Sequence, residues 1–251
     1  MTVRELYAAL AAQYPAALSA EWDNDGLMCS ADPDRRVGLV LCALDVTDAT
    51  VEEAIRIGAD VILSHHPLLF HPLSALTPDG AVGRRVIRLL EAGISVISFH
   101  TRADAAEGGV NDLLCTALGI ARALPFGEGL GRIGCLAQKT PIGEFAAHVK
   151  AVLGAPFVLC GDAGIAVHRV AVVGGSGKSE IAAAIGAGAD TLLSGRLSYE
   201  TVNEARDRGI NLLEAGHFYT EALLPRHWAD VLLPSLGVKA AYFDSCRVAA
   251  L

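Results

Sequence analysis

The chain reads Gly58-Ala59-Asp60-Val61-Ile62-Leu63-Ser64, and 130 residues later it reads Gly188-Ala189-Asp190-Thr191-Leu192-Leu193-Ser194. Both stretches pass from a glycine turn into a short apolar run that favours a buried β-strand. The same offset pairs further identical residues: Val40 with Val170, Ala54 with Ala184 and Ile55 with Ile185. The sequence therefore predicts that one unit of structure occurs twice in this chain.

The segments around the first copy alternate between strand and helix patterns. Strands are predicted over Val37–Leu44, Val61–Leu63 and Ile94–Phe99, and helices over Ala49–Ile57 and Val82–Glu91. Such alternation is typical of βαβ units. Further along, Gly93-Ile94 matches Gly209-Ile210 at an offset of 116, so the second copy is shorter there. We predict an α/β fold built from two similar lobes, with mostly parallel or mixed sheets.

The join between the lobes is expected in the glycine-rich segment Gly127-Glu128-Gly129-Leu130-Gly131. The first lobe would then cover residues 1–126 and the second residues 127–251. The C-terminal part, from about residue 217 to 251, is expected to pack back on the first lobe.

Composition excludes several classes of protein. A net charge of −8, with no stripe of Lys and Arg, argues against a nucleic-acid-binding face. The six cysteines form no C-x-x-C pair and no export signal is evident, which favours a cytoplasmic protein. No apolar run approaches the ~20 residues of a membrane span. The apolar content of 52% suggests extra buried surface, so we expect a homo-oligomer.

Three segments after predicted strands carry candidate metal ligands. The first is His65-His66, where Pro67 favours an extended backbone, so the two side chains are expected to diverge toward different ions. In the second, His100 and Asp104 are four residues apart, a spacing that would place both on one face of a helix. In the third, His217 and Glu221 repeat this spacing.

The two lobes differ at these positions. At the offset of 130, the histidine pair is replaced by Gly195-Arg196, yet the second lobe supplies His217. Four imidazoles and two carboxylates suit two divalent ions, and a single site formed by both lobes would use all of them. Taken singly, each residue has a structural alternative, such as a buried histidine bonded to the backbone.

Two other segments have simple structural interpretations. Val173-Gly174-Gly175-Ser176-Gly177-Lys178-Ser179 lacks the first glycine of a P-loop, because that position is Val172. Its backbone N–H groups could bind an anion, but a tight glycine turn without a ligand explains the segment equally well. Asp23-Asn24-Asp25-Gly26 is explained by an Asx-type turn.

Taken together, these segments resemble the NGG-interacting-factor-like family of dinuclear-metal-centre hexamers, also known as type 2 homologues of GTP cyclohydrolase I. The matching segments run in order along the chain: Trp22-Asp23-Asn24-Asp25-Gly26-Leu27, Leu44-Asp45-Val46-Thr47, Ser64-His65-His66-Pro67-Leu68-Leu69-Phe70, His100-Thr101-Arg102-Ala103-Asp104-Ala105-Ala106, Gly108-Gly109-Val110-Asn111-Asp112, Gly129-Leu130-Gly131-Arg132-Ile133-Gly134, Gly174-Gly175-Ser176-Gly177 and Gly216-His217-Phe218-Tyr219-Thr220-Glu221.

This resemblance implies two interlocking α/β lobes, six chains in a toroid and two divalent ions in each chain. It implies metal ligands at His65, His66, Asp104, His217 and Glu221, with His100 as a further ligand or a supporting partner. The sequence does not choose among Zn, Mn, Fe and Ni. The chain departs from the family pattern at Arg102, where Asn is frequent, and at Arg196, where His or an acidic residue is frequent.

The resemblance implies a metal-dependent hydrolase of the GTP cyclohydrolase type acting on a small molecule, with a nucleotide as one candidate. Glu221 would bridge the ions and help to activate water, and Tyr219 or Glu200 would orient the substrate. If the substrate is GTP, Arg102 or Arg196 would hold the triphosphate. The alternative is a non-catalytic protein that stores, delivers or senses metal, or that acts as a scaffold or regulator. Both functions require the same ligands, so the sequence leaves the choice open.

Overall fold

The computed structural model describes residues 1–246, which divide into two units. The first unit contains Met1–Ala106 and Leu224–Cys246, and the second contains Glu107–Leu223. The division falls before the predicted join at residues 127–131, because the helix Val110–Leu118 packs on strands of the second unit. The predicted second lobe extends to residue 251, and its residues 247–251 lie outside the described part of the chain.

The first unit contains a five-stranded sheet. Its strands are β1 (Gly26–Cys29), β2 (Leu39–Ala43), β3 (Val61–Ser64), β4 (Ser95–Ser98) and β11 (Lys239–Tyr242). Its helices are α1 (Val3–Gln13), a 3-10 turn (Ala16–Leu18), α2 (Asp48–Ile57), α3 (Ala81–Glu91) and α4 (Thr101–Ala105). A helical run near the C-terminus comprises α10 (Leu223–His227), a π-helical turn (Trp228–Leu232) and α11 (Leu233–Ser235).

The strands of this sheet follow the order β1-β4-β3-β2-β11. All neighbours are parallel except β1, which runs antiparallel to β4. The C-terminal strand β11 pairs with β2 and so belongs to the first unit. Apolar side chains of the sheet and of α2 and α3 form one buried cluster that includes Leu41, Val51, Ile62, Leu89 and Val96.

The second unit contains a six-stranded sheet in the order β5-β6-β8-β9-β10-β7. Its strands are β5 (Ala121–Phe126), β6 (Gly131–Thr140), β7 (Leu159–Gly161), β8 (Val167–Ser176), β9 (Thr191–Arg196) and β10 (Asn211–Glu214). Its helices are α5 (Val110–Leu118), α6 (Ile142–Leu153), α7 (Ile181–Gly186), α8 (Tyr199–Asp207) and α9 (His217–Glu221). The three strands β8, β9 and β10 are parallel, and the other pairs are antiparallel.

Equivalent hydrogen bonds in the two units confirm the sequence repeat. Asp60 accepts bonds from the N–H groups of Gly38 and Leu39, and Asp190 accepts them from residues 168 and 169, at the offset of 130. The peptide N–H of Ser95 binds Asp60 O, and the N–H of Asn211 binds Asp190 O, at the offset of 116. The predicted α/β fold with two mixed sheets is therefore confirmed.

Local sequence explains where the elements of the first repeat begin and end. Thr47 caps α2 by accepting a hydrogen bond from Thr50 N, as expected of a helix that starts after Thr. Gly58 ends the same helix with φ of +68°, a left-handed conformation that glycine adopts without steric cost. Among residues 1–246, no helix is both long enough and apolar enough to span a membrane.

Candidate metal centre

Three histidines of the first unit lie just beyond the carboxyl ends of two neighbouring parallel strands. His65 and His66 follow β3, and His100 follows β4. Parallel strands bring such positions to one edge of the sheet. One ring nitrogen from each histidine lies within 4.8 Å of those of the other two. The first unit therefore assembles three imidazoles in one cluster.

The His65 ring is buried and its orientation is fixed by the backbone. Its Nδ1 lies 2.9 Å from Phe99 O, and its side chain has no exposed surface. A carbonyl oxygen can only accept a hydrogen bond, so Nδ1 carries the proton and donates. The lone pair is then on Nε2, which is the atom available to a metal ion.

His66 and His100 are oriented in the same way by carboxylates. His66 Nδ1 lies 2.7 Å from Asp45 Oδ1, and His100 Nδ1 lies 2.9 Å from Asp23 Oδ1. Metal-binding histidines usually donate their second ring N–H to a carboxylate or a carbonyl, which fixes the ring and strengthens its donor atom. All three histidines therefore have the outer support that a metal site requires.

That His65 and His66 bind two different ions stays a prediction, and their rings are neighbours. Their ring centroids are 5.1 Å apart, and the planes are tilted by 40°. The two rings belong to the same cluster.

Asp23 is a supporting residue that sequence reasoning missed. Asn24 N donates to Asp23 Oδ1 at 2.9 Å, but this bond comes from the next residue, whereas an Asx turn uses the N–H two residues on. The carboxylate also accepts bonds from Thr101 N and Thr101 Oγ1, at 3.0 and 2.6 Å. Burial raises the pKa of Asp23, but the bonds from His100 and Thr101 outweigh it and hold that pKa well below its usual range. Asp23 is thus an ionised acceptor.

Asp104 lies near His65 instead of sharing a helix face with His100. His100 precedes α4 with a non-helical backbone (φ −103°, ψ −111°), so the four-residue spacing does not bring the two side chains together. Asp104 Oδ1 lies 3.5 Å from His65 Nε2, and Asp104 is buried. The first unit therefore also offers the carboxylate of Asp104, next to His65, as a candidate metal ligand.

Arg102, a predicted substrate contact, is buried in an ion pair with Asp25. Its Nε lies 2.9 Å from Asp25 Oδ1, and both side chains are only 3% exposed. The guanidinium also lies over the Phe99 ring, 4.8 Å from its centroid. Asp25 Oδ2 in turn accepts a bond from His100 N. Arg102 therefore fixes the segment that carries His100.

In the second unit, the short helix α9 begins at His217 and ends at Glu221, the two residues of the predicted histidine–glutamate pair. His217 Nε2 lies 2.9 Å from Glu221 Oε2, as expected for side chains four residues apart on a helix. The Glu221 side chain is 4% exposed, whereas that of His217 is 42% exposed. Tyr219 lies on the same short helix and is half-buried, and Arg196 ends β9 with its side chain exposed.

The glycine turn at the end of β8 supports Glu221. The N–H groups of Gly174, Gly175 and Gly177 donate to Asn111 Oδ1, Thr220 Oγ1 and Ser194 Oγ, respectively. These donors are therefore already engaged. Gly175 has φ of +62°, and a Cβ there would overlap Glu221 Oε1 and lie 3.2 Å from His217 Nε2. The glycine lets the backbone pass close to this carboxylate.

The donors of both units fit divalent ions of borderline hardness. Imidazole nitrogens combined with carboxylate oxygens bind Zn, Mn, Fe and Ni, whereas Mg and Ca prefer oxygen ligands. The oriented imidazoles of the first unit match this chemistry independently of the carboxylates.

Comparisons with known proteins show the family of this chain. The family described as Duf34/NIF3 (NGG1p interacting factor 3) matches residues 1–244. A Clostridium perfringens protein named "GTP cyclohydrolase 1 type 2 homolog" is 34% identical over 215 residues, 82% of each chain. A Schizosaccharomyces pombe protein named "Protein NIF3 homolog" is 32% identical over 226 residues, covering 83% of this chain and 80% of its own.

A solved structure shares the fold. The crystal structure of a Bacillus cereus protein related to NIF3 superposes with a TM-score of 0.91 at 23% identity. The match covers 100% of this chain and 99% of the other.

Proposed function

Because the chain belongs to the Duf34/NIF3 family, we propose that it is a metal-dependent hydrolase that holds two divalent ions and acts on a small molecule. The observation that carries this proposal is the orientation of His65, His66 and His100, whose Nδ1 atoms all face acceptors. Packing alone does not require three neighbouring imidazoles to expose the same ring nitrogen. A metal centre does.

The proposed ligands are His65, His66 and Asp104 from the first unit and His217 and Glu221 from the second. His100 is a further ligand or a supporting residue. Glu221 is the proposed bridging carboxylate, because its side chain is buried and its helix ends beside the glycine turn that constrains it. The metals are Zn, Mn, Fe or Ni.

The chemistry expected of this centre is hydrolysis. Two bound divalent ions lower the pKa of water to about neutral and stabilise the developing charge on the substrate. The protein's part is to hold the donor atoms still: Phe99 O, Asp45 and Asp23 keep the imidazoles in one tautomer and one orientation. Tyr219 and Arg196 are the proposed substrate contacts in the second unit.

The proposed substrate is a nucleotide or a related heterocycle. Support comes from the relatives named "GTP cyclohydrolase 1 type 2 homolog", of which the Clostridium perfringens protein is one. Arg196 is exposed and provides a cation for a phosphate group. Arg102 is omitted from the proposal because Asp25 already pairs with it in a buried position.

The proposed assembly is a homo-oligomer, with a hexamer as the expected state. The apolar content of 52% supports it, and so do exposed apolar side chains such as Leu124 (63% exposed), Leu159 (58%) and Val231 (55%). Light scattering of the purified protein measures the mass of the assembly and so tests its oligomeric state.

A substrate screen with matched variants tests the hydrolase proposal. Metal-loaded wild-type protein is incubated with GTP and a panel of heterocyclic amides, and product formation is followed with and without a chelator. We expect metal-dependent turnover that Glu221→Ala abolishes and that Glu204→Ala, an exposed glutamate paired with Arg208, leaves intact. Tightly held metal without any turnover would instead favour a non-catalytic metal-binding scaffold, metal carrier or regulator.

A further inference from the structure

We propose that a cavity beside His66 binds an uncharged, planar heteroaromatic ring of the substrate, and that this cavity takes no part in binding phosphate. The inference rests on the proposed function in assigning the bound molecule to the metal centre. It names which part of that molecule the first unit recognises.

The cavity lies entirely within the first unit and has a volume of about 370 Å³. His66 and Asp45 are among its lining residues, so a group bound there lies beside the histidine cluster. Much of the remaining wall is apolar, contributed by Val46, Leu68, Phe70, Leu73 and Val82. Small-molecule pockets span about 300–1,000 Å³, so this one is large enough for a heteroaromatic ring system.

The charges around the cavity oppose phosphate binding. Arg85 is the one Lys or Arg among the lining residues, and its Nε lies 2.8 Å from Asp48 Oδ1. Arg84 binds the other oxygen of Asp48 at 3.0 Å. Hydrogen bonds from Arg85 and Arg84 lower the pKa of Asp48, which keeps it ionised. The Asp45 carboxylate also lines the cavity, and a polyphosphate needs cationic or N–H donors that are not already engaged.

An aromatic wall connects the cavity with the histidine cluster. The Phe70 ring is 4.8 Å from the His71 ring and 6.1 Å from the His100 ring, centroid to centroid. Trp22 packs edge-on against Phe70 at 6.2 Å and is itself 65% exposed. Exposed aromatic faces bind planar bases by stacking, and this stacking does not require a charge on the base.

Two leucines of the loop before α3 provide a matched pair of variants. Leu73 lines the cavity and is 43% exposed, whereas Leu76 is 50% exposed and does not line it. Leu73→Trp fills the cavity, and Leu76→Trp adds the same side chain to the same loop outside it. Phe70→Leu keeps an apolar wall but removes the aromatic face. Circular dichroism confirms that each variant is folded.

The test measures binding of guanosine and of ribose 5-phosphate to the metal-loaded proteins by calorimetry. Stacking of a base is worth about 1–3 kcal/mol, or about 5–150-fold in affinity. We expect Leu73→Trp and Phe70→Leu to weaken guanosine binding by at least about fivefold, with Leu76→Trp unchanged. Ribose 5-phosphate, which has no heteroaromatic ring, should bind equally to all four proteins.

The inference is overturned if guanosine does not bind the wild-type protein, if Leu73→Trp binds it normally, or if the same variant weakens ribose 5-phosphate to the same extent. These readouts are equilibrium affinities. Absence of hydrolysis with intact guanosine binding contradicts the proposed function alone, and hydrolysis with unaltered binding in Leu73→Trp contradicts this inference alone.

Discussion

The carboxylate of Asp45 holds the His66 ring by its Nδ1, at 2.7 Å, and so leaves Nε2 as the donor atom of that residue. Loss of such an outer partner typically weakens metal binding by about 10–100-fold. We therefore predict that Asp45→Ala lowers the affinity for zinc by about 10–100-fold, measured by competition with a chromophoric chelator.

Asp34→Ala is the matched control for that variant, because Asp34 forms an exposed ion pair with Arg4 in the same unit. Its zinc affinity should equal that of the wild type. Equal affinities in Asp45→Ala and Asp34→Ala would show that Asp45 does not support the site.

The close approach of Gly175 to Glu221 leads to a second prediction. Gly175→Ala adds a Cβ that overlaps the Glu221 carboxylate, in a left-handed conformation that costs a non-glycine residue about 1–2 kcal/mol. Gly209→Ala has the same backbone cost at φ of +71° but meets nothing within 4 Å. We expect both to lower the free energy of unfolding in urea, Gly175→Ala by more.

Metal content separates these two glycine variants further. Only Gly175→Ala displaces a proposed ligand, so only this variant should lose metal on dialysis. If both variants retain the wild-type metal content, the backbone at residue 175 does not constrain Glu221.

The buried pair of Arg102 and Asp25 leads to a third prediction. Removing one partner of a buried ion pair typically costs about 3–5 kcal/mol, because the remaining charge loses its partner. Arg102→Ala should therefore lower the free energy of unfolding by about 3–5 kcal/mol, whereas Arg4→Ala, from the exposed pair with Asp34, should leave it close to the wild-type value. Urea denaturation followed by circular dichroism measures both values.

The opposite pattern would restore the substrate-binding role expected from the sequence. In that case Arg102→Ala would unfold like the wild type but bind the substrate more weakly.

Much of the fold could be predicted from residue patterns. The repeat centred on Asp60 and Asp190 was recognisable because each aspartate accepts equivalent hydrogen bonds from backbone N–H groups at or near the start of the strand that precedes it. These hydrogen bonds require an aspartate at the same position of both copies, so the repeat is visible in the sequence. The pairing of β11 with β2 joins residues about 200 positions apart, and it was expected only as a general return of the C-terminal part.

The candidate site was only partly predictable, for two physical reasons. The histidines follow strands of the parallel sheet, so their meeting at one sheet edge could be inferred from βαβ order. Their supporting carboxylates come from other segments: Asp23 precedes β1, whose antiparallel pairing with β4 no local pattern indicates. The burial of the Arg102 guanidinium against Asp25 could not be predicted either, because sequence spacing does not reveal it.

The proposed function depends on two divalent metal ions held by the histidines and carboxylates named above. The decisive experiment is metal analysis of the purified protein after reconstitution with zinc and exhaustive dialysis, with His66→Ala and Glu221→Ala measured alongside Asp34→Ala. We expect two ions per chain in the wild type and in Asp34→Ala, and fewer in each ligand variant. A wild-type protein that retains no metal, or ligand variants that retain as much as the wild type, would contradict it.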